Sequence, residues 1–276
     1  MGGAVDPAAS APARGPLRDA SVFANNANRA RVRGSASVPR IMKTKLYIYW
    51  PAGMEFFTVA LACMLDTSDP SVHFALHFDP TQWMAMLLSP YFLVCVAAAS
   101  FGMWKLHQIW KVGPAFSDTD KFAMVWFLMN ACWYHTGCDV MSGLFQVMPN
   151  LRDAYAVSNA NHDFPMHDLH RIALDTVYWL ELLIQLPMCL LVVALYAKRS
   201  PARPVVEAVL CALHFAGTWA YYVPYLLMGE TSNPIVSNID RTVALAWVIV
   251  PAALAWRAMK QVMAMAPASA ASATSE

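Results

Sequence analysis

The chain has 276 residues, of which 58% are apolar and 13% are charged, with 19 Lys and Arg against 18 Asp and Glu. Soluble domains carry about 25% charged residues, so the composition excludes an ordinary soluble globule. The balanced charge offers no basic excess for a phosphate backbone, which argues against a nucleic-acid partner, and the hydrophobicity is too high for a disordered chain. An integral membrane protein remains, provided that the apolar residues are gathered into spans.

Both ends of the chain are predicted to be disordered. Residues 1–45 form a flexible basic tail, rich in Ala, Pro, Gly, Ser and Asn, with eight Lys and Arg against two Asp. Because no apolar core of the signal-peptide type precedes Leu46, a cleaved secretory signal is not expected, whereas an organelle transit peptide stays open. Residues 263–276 are an Ala- and Ser-rich run without structure signals.

Six continuously apolar stretches between the tails predict an all-α polytopic membrane bundle of about six transmembrane helices, since a span needs roughly 20 residues. The stretches are Leu46–Leu65, Met84–Trp104, Phe122–Met148, Ile172–Ala197, Val205–Met228 and Thr242–Trp256. Barrel strands are disfavoured because they alternate polar and apolar residues. With a cytoplasmic N-terminus, 16 of the 19 Lys and Arg fall on the cytoplasmic side. This bias favours an even number of spans and two cytoplasmic termini.

Several ionisable or amide side chains lie inside the predicted spans, where a charge costs roughly 2.5–3.5 kcal/mol. They are His135 and Asp139 in the third span, Asp175, Glu181 and Gln185 in the fourth, and Glu207 and His214 in the fifth. His135 and Asp139 are four residues apart, and therefore share one helical face. Acids and bases that converge from neighbouring helices would form a polar pocket suited to proton transfer to a lipophilic substrate.

The alternative for each of these groups is a hydrogen bond between helices. That alternative is favoured for Glu207, which lies near the cytoplasmic end and is expected to be solvated. Glu55 in the first span is ambiguous. Trp219 and Trp247 lie deep in their predicted spans, where an indole face can stabilise a cation, although packing alone would also explain them.

No metal and no cofactor is expected from the sequence. The six cysteines all fall inside spans without a CxxC pair, which is typical of small buried hydrophobes. The loop histidines faintly resemble the His boxes of membrane di-iron enzymes, but further paired boxes on the cytosolic side are missing, so a hydrated polar loop is the prediction. These histidines are His73, His77, His162, His167 and His170.

Residues from about Asp118 to Lys260 resemble the EXPERA domain, which is shared by the emopamil-binding protein family of 8,7 sterol isomerases and by the sigma-2 receptor family. The His135-x-x-x-Asp139 spacing is similar to the isomerase pattern of a His and an acid one turn apart, although isomerases usually have Glu in place of Asp. The stretch from Pro187 to Tyr222 can be laid on isomerase sequences without a gap. The last span contains AWVIVP, with Trp247, as in the isomerase tract.

Two departures from the isomerase pattern are visible. The run ELLIQLP, from Glu181 to Pro187, is closer to the sigma-2 receptor version of this helix. With Pro187 aligned, the second carboxylate of the isomerases falls near Tyr178, so Asp175 and Glu181 are rival substitutes. Ala244 stands where isomerases have an Asn.

The resemblance implies that the bundle of about six helices contains a five-helix EXPERA-like core. The first two spans lie within residues 46–110, and the EXPERA-like membrane domain covers residues 118–262. It also implies an enzyme of sterol and lipid biosynthesis, a sterol 8,7-isomerase that moves a ring double bond through a carbocation. In that reaction Asp139, positioned by His135, donates the proton, Glu181 is the second carboxylate with Asp175 in reserve, and Trp247 faces the cation. The other candidates for substrate binding are Tyr178, Gln185, His214, Trp219 and Tyr221.

The main alternative is a non-catalytic sterol- or amine-binding protein of the sigma-2 receptor kind; a terpenoid cyclase and a transporter rank lower. A sterol or other lipophilic substrate and the lipid bilayer are the expected partners, with homodimer formation left open. The resemblance places the protein in the endoplasmic reticulum membrane.

Overall fold

The computed structural model describes residues 45–64, 78–112, 115–159, 162, 168–169, 171–228 and 234–273. Within these ranges the chain forms helices and short connections, and no strand occurs there, so the predicted all-α class is confirmed. Several predictions fall outside the described residues: the tail up to residue 44, the loop histidines His73, His77, His167 and His170, and the last three residues.

The first predicted pair of spans forms three helices. A 3₁₀ turn at Leu46–Tyr49 leads into α1, Trp50–Met64, and these are followed by α2, Pro80–Leu87, and α3, Pro90–Val112. Asp79 starts α2 by accepting a hydrogen bond from the backbone N–H of Thr81 at 2.8 Å. The predicted second span, Met84–Trp104, is therefore displaced toward the C-terminus, because Pro90 cannot continue α2 and instead begins α3.

The central helix, α4, changes its winding along its length. It runs as an α-helix over Asp118–Met129 and continues as a π-helix over Asn130–Leu144. Ser117 and Asp120 form a capping box at its start. In the π-helical part the hydroxyl groups of Thr136 and Ser142 donate to carbonyl oxygens five residues earlier, at 2.6 and 2.9 Å. Every residue from 123 to 129 is buried, which puts α4 at the centre of the bundle.

The remaining helices surround α4. They are α5, Pro149–Ser158; α6, Ile172–Ala197; α7, Arg203–Met228; α8, Pro234–Ala244; and α9, Ala246–Ala273. Helix α6 is α-helical over Ile172–Leu180, π-helical over Glu181–Gln185 and α-helical again over Leu186–Ala197. Helix α4 contacts α1, α3 and α6, whereas α7 packs along α9. This arrangement brings the polar residues of α4, α6 and α7 to the middle of the bundle.

Four helices among the described residues are long and apolar enough to cross a membrane. They are Leu46–Met64, Pro90–Val112, Ile172–Ala197 and Ser237–Met265. They correspond to the first, second, fourth and sixth predicted spans with shifted ends. The predicted third and fifth spans are also helical, but they do not meet the same measure of length and apolarity. The multi-pass helical bundle is thus confirmed, and the number of six spans stays a prediction.

The C-terminal end of the membrane domain differs from the prediction. Helix α9 continues to Ala273, well past the predicted boundary at residue 262. Alanine is the best helix former, so an Ala-rich run can extend a helix even where the sequence lacks the apolar periodicity by which a helix is predicted. The predicted disordered tail is therefore helical over most of its length.

Close packing of α4 on α6 gives a first testable prediction. A methyl group added at Gly143 would lie inside van der Waals distance of the buried Tyr178 ring. We expect Gly143→Ala to destabilise the protein by about 1–3 kcal/mol through overpacking, measured as a lower melting temperature in detergent. Gly53→Ala is the matched control, because a methyl group there meets nothing within 4 Å and gains up to about 1 kcal/mol of helix propensity. Equal melting temperatures of the two variants would contradict the described contact.

Candidate functional site

A cavity of about 160 Å³ lies inside the bundle, between α1, α4, α5, α6, α7, α8 and the start of α9. Apolar side chains such as Phe57, Leu61 and Val177 cover much of its wall. Eight of the ten predicted site residues line it: His135, Asp139, Tyr178, Glu181, Gln185, His214, Tyr221 and Trp247. The structure therefore brings together most of the polar residues that the sequence scatters over four helices.

Two carboxyl groups and one imidazole form the polar centre of this cavity. Nδ1 of His135 lies 3.5 Å from Oδ2 of Asp139 and 3.8 Å from Oε1 of Glu181. The carboxyl groups of Asp139 and Glu181 are within hydrogen-bonding reach of each other. Oε2 of Glu181 is buried, and no protein group in the described ranges bonds to it. The two acids and the imidazole therefore form one polar cluster on the cavity wall.

The two acids lie in the two π-helical segments of the described chain. Asp139 is within Asn130–Leu144 and Glu181 begins the segment Glu181–Gln185. A π-helix bonds each N–H to the carbonyl five residues earlier, and such segments are frequent at functional sites. Sequence reasoning assumed α-helices here. The available signal was the set of small and hydroxyl residues around Asp139, namely Thr136, Gly137, Ser142 and Gly143.

The indole of Trp247 is fixed on the cavity wall by a residue that sequence reasoning missed. Its Nε1–H donates to Oδ1 of the fully buried Asn130 at 2.8 Å. The ring of Tyr134 meets it edge-on, with ring centroids 4.7 Å apart. Asn130 escaped notice because it is neutral, although an amide inside an apolar span is itself a signal. This hydrogen bond, at one edge of the indole, fixes the direction in which the face of the ring points.

A second polar group lies in the same cavity and was also not predicted. The hydroxyl of Tyr222 donates to Oδ2 of Asp240 at 2.7 Å, and both residues line the cavity. Nearby, Nε2 of His162 is 2.9 Å from the hydroxyl of Tyr221. Burial, together with the neighbouring Arg171, lowers the pKa of His162 to about 3. His162 is therefore neutral at physiological pH and serves as a hydrogen-bonding partner.

Two predicted residues lie away from the cavity. Nε of the fully buried Arg171 donates to Oδ1 of Asp175 at 2.8 Å, and Arg171 also donates to the carbonyl oxygen of Gly143. Asp175 is thereby neutralised on another face of α6, and Glu181 is the acid that faces the cavity. Trp219 is 50% exposed on the outer surface of α7, because an aromatic residue deep in a span can equally face lipid.

Glu207 forms hydrogen bonds between helices, which is the alternative that was favoured for it, and it is not solvated. It is fully buried and accepts hydrogen bonds from the Tyr196 hydroxyl at 2.9 Å, from Arg203 at 2.9 Å and from Arg257 at 2.8 Å. These contacts join α6, α7 and α9, so Glu207 is a structural ion-pair centre apart from the cavity. Glu55 is also buried and does not line the cavity described here.

These features define a helical membrane protein with a buried cavity that holds two adjacent acids and an imidazole. Residues 147–258 match the model of the EXPERA family, the expanded EBP superfamily, and they lie within the stretch whose resemblance to that domain is described above. The match covers less than half of the chain and starts after His135 and Asp139. No curated protein and no solved structure matches significantly.

The ion-pair centre at Glu207 gives a second prediction. Glu207→Ala leaves Arg203 and Arg257 with only the partly exposed Asp120 as a counter-charge, and we expect a loss of about 3 kcal/mol of stability. The change should appear as a lower melting temperature and a smaller folded fraction in detergent. Asp153→Ala is the control, since its ion pair with Arg152 is 38% exposed on both sides and is worth about 0–1 kcal/mol. Comparable losses in both variants would show that Glu207 is not held as described.

Proposed function

We propose that this protein is a sterol 8,7-isomerase that moves a ring double bond by adding and removing protons. The observation that carries the proposal is the contact of Asp139 and Glu181 with each other and with His135 on the wall of one lipophilic cavity. The EXPERA domain over residues 147–258 supports the same reaction class. A fold alone does not establish an activity, so the residues must carry the argument.

The paired acids supply both halves of the reaction. Two carboxyl groups in contact do not readily ionise together, so one of them holds a proton. That proton forms a new C–H bond at one alkene carbon, which leaves a carbocation on the other. The ionised partner then removes a proton from the adjacent ring carbon, and the electrons of that C–H bond form the new double bond. The proton returns between Asp139 and Glu181, so the site is reset without any electron acceptor.

The surroundings of the acids favour a short-lived cation. The carboxylate left after proton donation is a nearby negative charge, and the indole face of Trp247 offers a π-system held by Asn130. His135 contacts both acids through Nδ1 and is assigned the role of positioning them. Preorganised groups of this kind stabilise charge that develops in a transition state.

The substrate class follows from the cavity wall. Phe57, Leu61, Leu151 and Val177 provide an apolar surface against which a lipophilic ring system can pack. We infer that a sterol enters from the bilayer, in the endoplasmic reticulum membrane, with both termini of the protein in the cytosol.

A second candidate is a binding protein for sterols or amphiphilic amines that leaves its ligand unchanged. The presence of a third acid, Asp240, on the cavity wall favours this candidate, because an ammonium group can pair with a buried carboxylate. In this case Asp139 and Glu181 would also act as counter-charges.

Sterol profiling in isomerase-deficient yeast separates the two candidates. The full-length protein should convert the 8-ene sterol that accumulates there into the 7-ene product. Asp139→Asn and Glu181→Gln should each lower conversion by about 10²-fold or more, since a positioned acid or base contributes about 10²–10⁴-fold. Membrane levels of each variant are measured in parallel to exclude loss of folding.

Trp247→Phe and Trp219→Phe form a matched pair for the same assay. Trp247 lines the cavity and Trp219 faces outward, so only Trp247→Phe should reduce conversion. Absence of conversion by the well-expressed wild-type protein, together with saturable binding of a labelled sterol or amine, would favour the binding protein and overturn the isomerase.

A further inference from the structure

Three buried side chains from three helices converge behind the acid pair. Nε2 of His135 in α4 lies 3.2 Å from Nε2 of His214 in α7, and Nε2 of His214 lies 3.6 Å from Sγ of Cys189 in α6. The ligand atoms of the three residues all lie within 4.8 Å of one another. None of the three side chains is more than 2% exposed. Two imidazole nitrogens and a thiol therefore lie close enough together to contact one small ion.

These separations match those of ligands around a tetrahedral metal ion. Zinc binds imidazole nitrogen at about 2.0–2.1 Å and thiolate sulfur at about 2.3 Å. At a tetrahedral angle, those bond lengths place two nitrogens roughly 3.3 Å apart and a nitrogen and a sulfur roughly 3.6 Å apart. The observed distances of 3.2 and 3.6 Å fit this geometry.

The outer nitrogen of His135 faces two carboxyl groups, the kind of partner that metal-bound imidazoles usually have, at distances longer than a hydrogen bond. A ligating histidine almost always donates its other N–H to a carboxylate, a carbonyl or water. Nδ1 of His135 faces Oδ2 of Asp139 at 3.5 Å and Oε1 of Glu181 at 3.8 Å. Without a metal only one of the two facing Nε2 atoms can carry the proton between them, whereas a metal would accept both lone pairs.

We propose that His135, His214 and Cys189 form a binding site for a divalent transition metal of the zinc type. Two imidazoles and one thiolate suit Zn²⁺ and Co²⁺ and disfavour Mg²⁺ and Ca²⁺, which prefer oxygen ligands. His135 and His214 line the cavity, so the ion can enter from there and take a fourth ligand from the same side. The bound ion would cross-link α4, α6 and α7. The proposed metal site shares His135 with the proposed isomerase reaction, but metal binding can be measured without any sterol conversion.

Cobalt spectroscopy of the purified full-length protein tests the site. The metal-free, reduced protein in detergent is titrated with Co²⁺ alone. One equivalent should produce the visible bands of tetrahedral Co²⁺ and a thiolate-to-cobalt charge-transfer band in the near ultraviolet, and Zn²⁺ should displace both. Saturating Zn²⁺ should raise the melting temperature, because a ligand that binds only the folded state stabilises it.

Cysteine variants identify the ligand. Cys189→Ala should abolish the charge-transfer band and the Zn²⁺-dependent rise in melting temperature. Cys211→Ala is the matched control, since Cys211 is a buried free thiol in α7 and should leave both signals intact. Asp139→Asn should weaken Co²⁺ affinity by about 10–100-fold, because Asp139 faces the outer nitrogen of the ligand His135.

Loss of the charge-transfer band in Cys211→Ala instead of Cys189→Ala would overturn the assignment of ligands. If the folded wild-type protein shows no tetrahedral cobalt bands when Co²⁺ is added, the proposed site does not exist. Neither result bears on sterol conversion, so the metal site and the isomerase can fail separately.

Discussion

The need to neutralise acids inside an apolar bundle governs this structure. Asp175 meets this need with Arg171, and Glu207 meets it with Arg203 and Arg257. Asp139 and Glu181 are different, because within the described ranges no Lys or Arg forms an ion pair with either of them. Two adjacent acids without a cationic partner do not readily ionise together, whereas an acid paired with arginine can stay ionised. The same constraint thus separates the structural acids from the candidate reactive ones.

Helical periodicity allowed part of the site to be predicted. His135 and Asp139 are four residues apart, and this spacing puts them on one face of α4 in spite of the π-helical winding. The choice between Asp175 and Glu181 could not be made in the same way, because both lie on α6 and the winding changes at Glu181. Depth in the bilayer also did not distinguish Trp247 from Trp219. Depth follows from hydropathy, but the direction that a side chain faces depends on the neighbouring helices.

The limits of prediction for the fold have similar physical causes. Continuous apolarity identified the helices, while their ends depended on local features such as Pro90 and the alanines that extend α9. The partners of Glu207 could not be predicted in full, because Arg257 belongs to α9 and is distant in sequence. Contacts between remote positions are invisible in a single sequence. The bond between Asn130 and Trp247 of the last helix is another contact of this kind.

The π-helical segment Asn130–Leu144 has a consequence for how the chain can vary. Removing one residue between His135 and Asp139 would rotate Asp139 relative to His135 by about 100° around the helix axis, the turn that one residue makes in an α-helix. Asp139 would then leave the cavity wall while His135 stayed in place. Insertions and deletions in this stretch should therefore be tolerated far less well than conservative replacements. They would change the direction in which the following side chains face, whereas a conservative replacement would not.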